Sequence, residues 1–213
     1  MNTDELIHLL AADAQPVPTH GVERRFALAV ALGLAGAAAL MLGVFGLRHD
    51  WDTVLALPMF WGKFALGGSL AALGLAVVLR LARPGMPWGR AALWLALPPA
   101  VMWVLAGSVL IGATQPERLP LLLGSTWRTC PFNIALLSLP SLAALFWALR
   151  GAAPTRLAWT GAGAGLLAGA LGVVVYALHC PEMAAPFVAL WYLAGMALPT
   201  ALGALLGPRL LRW

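Results

Sequence analysis

Two cysteines carry the most specific chemistry in this chain. Cys130 and Cys180 are the only cysteines among 213 residues, and each is followed by proline. Proline suits the first turn of a helix, where its missing N–H needs no partner. A Cys-Pro pair at the start of an apolar run therefore reads as a thiol at a helix N-terminus. There the positive end of the helix dipole favours the thiolate, the form that attacks disulfides and binds soft metals. If the two following helices are neighbours, the thiols could form a disulfide or hold a soft or heavy metal ion transiently. His179 would then offer a nitrogen ligand and Glu182 an oxygen. A free cysteine in an apolar helix also serves as a small hydrophobe, which explains one such residue better than two in matching contexts. No Cys-x-x-Cys motif is present, so a membrane thiol oxidoreductase would lack its usual reactive centre.

Two further features bear chemistry. Lys63 is the one charged side chain inside the long apolar windows. About six residues from the outer end of its helix, it either snorkels to the interface or marks an intramembrane polar site paired with Asp50, Asp52 or Glu182. The N-terminus offers Thr3 as a helix cap, with Asp4 and Glu5 in the first turn. Leu6, Ile7, Leu9 and Leu10 then form an apolar stripe, and Pro16 and Pro18 end the helix. A helix of about ten residues is marginal alone in water, so it needs a surface. Helices that lie on anionic lipid are usually basic. This one is acidic, which favours a protein groove.

The elements that position these residues follow from composition. The chain is 62% apolar and 10% charged, against about 25% charged in soluble domains. A soluble globular enzyme is excluded, and the expectation is an all-α integral membrane protein. A spanning helix needs about 20 apolar residues, and six windows qualify, at 26–47, 57–79, 91–112, 131–149, 157–178 and 184–206. With the N-terminus inside, nine arginines (24, 25, 80, 83, 90, 150, 156, 209 and 212) flank the spans on the cytoplasmic side and three (48, 118 and 128) on the other. The positive-inside rule then places both termini in the cytoplasm. This scatter explains the basic character without direct nucleic-acid binding. Residues 1–25 form a cytoplasmic segment and 26–213 a six-helix transmembrane bundle. Gly161, Gly165, Gly169 and Gly172 give the fifth span a small-residue stripe for close helix packing. Pro98, Pro99, Pro140, Pro186 and Pro199 are expected to break or bend their helices.

The opening Thr3-Asp4-Glu5-Leu6-Ile7 with Leu9-Leu10-Ala11, the Trp127 to Cys130 stretch and the two Cys-Pro sites resemble the NrsF family of bacterial anti-sigma factors. The resemblance implies a six-span inner-membrane protein without enzymatic activity or resident cofactor. It implies that the protein sequesters an extracytoplasmic-function sigma factor at the cytoplasmic face. Thr3, Asp4, Leu6, Ile7, Leu9 and Leu10 would bind that sigma factor. Cys130 and Cys180 would match the family's two outer cysteines, through which heavy-metal stress such as chromate or cadmium, or oxidation, releases it. The alternative is a membrane thiol-redox or metal-binding and transport protein, which would act without a partner.

Overall fold

A computed structural model describes residues 2–12, 21–86 and 88–212. Among them every regular element is a helix. Six stretches are long and apolar enough to cross a membrane: Gly21–Val44, Pro58–Leu81, Arg90–Gly112, Cys130–Leu149, Leu157–Tyr176 and Ala185–Leu210. They lie within a few residues of the windows expected from apolar run length. The first begins five residues earlier, because a helix continues through Glu23, Arg24 and Arg25 beyond its apolar stretch.

In chain order the helices are α1 (Thr3–Ala12), α2 (Gly21–Val44), α3 (Trp51–Val54), α4 (Pro58–Leu81), α5 (Arg90–Trp94) and α6 (Leu97–Gly112). They continue with α7 (Gln115–Leu123), α8 (Cys130–Leu149), α9 (Leu157–Tyr176), α10 (Ala185–Phe187) and α11 (Leu193–Leu210), with a π-helical turn at Val188–Tyr192. Thr3 is the first helical residue of α1 rather than its cap, since the Leu6 N–H bonds the Asn2 carbonyl. Residues 2–9 are all exposed, with Leu6, Ile7 and Leu9 among the exposed large hydrophobics. The side chain of Leu10, together with Asp13, Pro16 and Pro18, lies outside the described residues.

The proline expectation divides. Before Pro98-Pro99 the third span breaks at Leu95-Ala96, where α5 ends and α6 begins. Pro186 sits in the first turn of α10, whereas Pro140 and Pro199 are carried inside α8 and α11 without interrupting them. Helix α7 occupies the connection between the third and fourth long helices. Thr114 and Glu117 start it with reciprocal capping bonds.

Helix α9 is the axis of the molecule: α11, α4 and α8 all pack on it, and α2 packs mainly on α8. The glycine stripe makes this possible. Cβ atoms added to Gly161 or Gly165 would collide with the α11 backbone at Gly203 and Pro199, and one at Gly172 with Ser138 of α8. The stripe is therefore consumed within the chain.

Candidate thiol site

Cys130 and Cys180 come together. Helix α8 opens with Cys130, and the α9–α10 connection carries Cys180; both are fully buried and unbridged. The fourth and sixth spans pack against each other, as a paired role requires. The surrounding core includes Ile134, Phe187, Tyr176 and Tyr192. Cys130-Pro131 does open a helix, with Pro131 in its first turn. Cys180-Pro181 does not. The Cys180 N–H bonds the Tyr176 carbonyl at 3.0 Å, and the next helix begins only at Ala185. Cys180 thus lies past the C-terminal end of α9, where a helix dipole disfavours an anion. Its thiol is nonetheless held below the ordinary range. The interaction with the Cys130 thiol is the largest cause, burial opposes it, and the Lys63 ammonium adds to it.

Lys63 does not snorkel. It is fully buried, its Nζ donates to the Cys180 carbonyl at 3.1 Å, and it lies 5.8 Å from the centre of the Tyr192 ring. The partner is a backbone oxygen of the cysteine loop rather than Asp50, Asp52 or Glu182. Snorkelling fails because α4 faces α9 here, so the outer end of the side chain meets protein instead of the interface.

The auxiliary metal ligands do not converge. His179 Nδ1 lies 3.1 Å from the Gly46 carbonyl, with its ring against Phe45 and Tyr176. Glu182 Oε1 accepts from the backbone N–H and the hydroxyl of both Ser125 and Thr126 at 2.7–3.2 Å. Burial opposes ionisation of this carboxyl, yet those bonds hold it below the usual carboxylate range. Among the described residues no group of three or more His, Cys, Asp and Glu side chains could hold a metal ion. Both His179 and Glu182 lie within two residues of Cys180 in sequence, but the turn after α9 sends their side chains to different neighbours.

Three further residues line the site, none of them assigned a role there from the sequence. Tyr176 and Tyr192 are the only tyrosines in the chain, and both line the thiols with ring centres 6.0 Å apart. That coincidence was a usable signal. Arg48, which reads in the sequence only as an outer positive charge, donates from Nη1 to the Cys180 carbonyl at 2.7 Å. The Trp127 stretch docks on the sixth span through Trp191, whose Nε1 bonds the Leu122 carbonyl at 2.9 Å.

A family model described as NrsF, negative regulator of sigma F, matches residues 10–213. The chain belongs to the NrsF family. The probable anti-sigma-F factor NrsF of Azospira oryzae is 48% identical over 213 residues, covering all of both chains. The anti-sigma-F factor NrsF of Caulobacter vibrioides is 39% identical over 226 residues, again across both full lengths. No solved structure matches. NrsF membership makes the chain a regulatory protein rather than an enzyme. In an NrsF protein the buried thiols and their lysine therefore need no turnover chemistry to account for them.

Proposed function

We propose that this NrsF protein is a six-span anti-sigma factor of the bacterial inner membrane. With both termini cytoplasmic, it binds an extracytoplasmic-function sigma factor on that face. It releases the sigma factor when heavy metal or oxidant reacts with Cys130 and Cys180 on the outer face. The placement of the two free thiols in one buried cluster is the observation that supports the sensing half. Two thiols in one buried cluster can bridge or share a metal ion without the large helix approach that distant cysteines would need.

The binding half is supported by α1. It presents Leu6, Ile7 and Leu9 to solvent beside Asp4 and Glu5, covered by nothing among the described residues. Residues 45–50 stand at the cysteine end of α2, and α2 spans about 36 Å at 1.5 Å per residue. The Cys180 loop meets the chain just beyond the C-terminal end of α2, and α1 precedes the N-terminal end of α2 in sequence. The arginine asymmetry supports a cytoplasmic α1.

The test is a gentle detergent pull-down of tagged protein from its native cells, intact and as the Leu6→Asp, Leu9→Asp double variant. Recovery of a sigma factor with the first and not the second is expected. Recovery with both would move the docking surface to the inner loops, and recovery with neither would sink the binding reading. A Cys130→Ser variant that still released its sigma factor normally under metal stress would sink the sensing half.

A further inference from the structure

The Cys180 carbonyl is where three segments of the chain are tied together. Arg48 reaches it from beyond the end of α2 at 2.7 Å, and Lys63 from α4 at 3.1 Å. Arg48 is itself aimed by Asp50, which accepts from Nε at 2.9 Å and from Nη2 at 2.6 Å. The same stretch holds the neighbouring residue as well: His179 meets the Gly46 carbonyl at 3.1 Å, and its ring lies 5.3 Å from that of Phe45. Gly46, at φ 73°, makes this approach possible by capping α2 in the left-handed conformation, its N–H bonding the Met41 carbonyl. Residues 45–50 thus fasten the outer end of α2 to the sensor loop.

We propose that Arg48 is a positioning residue that couples the thiols to α1. Its guanidinium, aimed by Asp50, holds the Cys180 carbonyl and so locks α2 in the sigma-binding arrangement. This inference rests on the anti-sigma and sensing readings above. Both sulfurs are fully buried among tyrosines. A disulfide would draw them to about 2.05 Å, and a metal ion inserted between them would spread them. Close-packed interiors transmit such displacements. Hydrogen bonds weaken steeply with misalignment, so a shift of Cys180 takes its carbonyl off Arg48 and frees the outer end of α2. The N-terminal end of α2 is the one that follows α1 in the chain.

The experiment uses the full-length protein with its sigma factor in lipid nanodiscs. Sigma affinity is measured without and with Cd(II), a probe that displaces the two thiol protons into the buffer and forms two S–Cd bonds. Arg48→Met is expected to weaken sigma binding about tenfold or more in the absence of metal, the scale of one lost hydrogen bond to a charged group. Cd(II) should then bind in unchanged amount while weakening sigma binding no further, and Arg48→Lys, which keeps one donor, should recover most of the affinity. An Arg48→Met protein that binds sigma as tightly as the wild type and loses it as fully to Cd(II) overturns the proposal. If that variant does not fold, Asp50→Asn is read the same way: a smaller loss in the same direction supports the clamp, and unchanged binding and response overturn it. Release by Cd(II) from a Cys180→Ser protein would instead overturn the sensing reading, and no binding by the intact chain the anti-sigma reading. Either result removes this inference as well, without depending on Arg48.

Discussion

The seam between α9 and α11 offers a quantitative test of the fold. A Cβ added at Gly165 would lie 2.7 Å from the Pro199 carbonyl carbon and from Thr200 Cα, and nearer still to the Pro199 oxygen. Ordinary contact begins at 3.4 Å, so the helices must part by at least 0.7 Å. The obstacle is backbone, which cannot rotate aside. Parting by that distance forfeits roughly a quarter to a half of each contact along the seam. At Gly107 on α6 a Cβ meets nothing within 4 Å. Both Gly→Ala changes gain the same helix preference, about 0.5–1 kcal/mol, so the difference between the variants isolates overpacking. That difference is expected to be about 1–3 kcal/mol, toward the upper end, with Gly165→Ala the less stable. In melting experiments on purified protein in detergent, 2 kcal/mol corresponds to about 4–8 °C for a chain of this size. Gly165→Ala and Gly107→Ala melting together would refute the packing argument. A lowered oligomer mass with unchanged melting would show the stripe binding a second copy instead.

Two further outcomes follow from single polar groups. Glu182 is held below its unfolded carboxylate value by Ser125 and Thr126, so its contribution is present at neutral pH and lost as pH falls through the folded value. Glu182→Gln should therefore melt below the wild type at pH 7, and the gap should close as pH drops below about 4.5; a gap independent of pH would contradict this. Ser141 is buried against Gly33, and its hydroxyl has no hydrogen-bond partner among the described residues. Ser141→Ala should be neutral or stabilising by up to about 1 kcal/mol in the same melting assay, and a clear loss would show that the hydroxyl has a partner.

The six long helices were legible in the sequence because length and apolarity are one-dimensional properties. A run of 20 apolar residues is visible without knowing its neighbours, and helix is the form that satisfies its backbone internally. Local signals held in part: Pro98-Pro99 marks a break and Cys130-Pro131 opens α8, whereas Pro140 and Pro199 sit inside uninterrupted helices and Cys180-Pro181 opens none. Helix α7 went unread because it is only nine residues long, and its Gln115, Glu117 and Arg118 interrupt any apolar run between the longer spans.

What the sequence by itself determined, then, is the number and approximate extent of the six long apolar helices, the family, and two cysteines each followed by proline. Tertiary structure alone decided what surrounds those cysteines. Lys63 could point to water or to protein, and the packing of α4 on α9 turned it inward to the Cys180 carbonyl. Cys180 read as a helix opener, yet the turn after Tyr176 left it beyond a helix end. Arg48 lies 132 residues from the carbonyl it holds. Contacts at that separation depend on how helices rotate and pair, and a single helix's residue pattern does not encode the partner it will face.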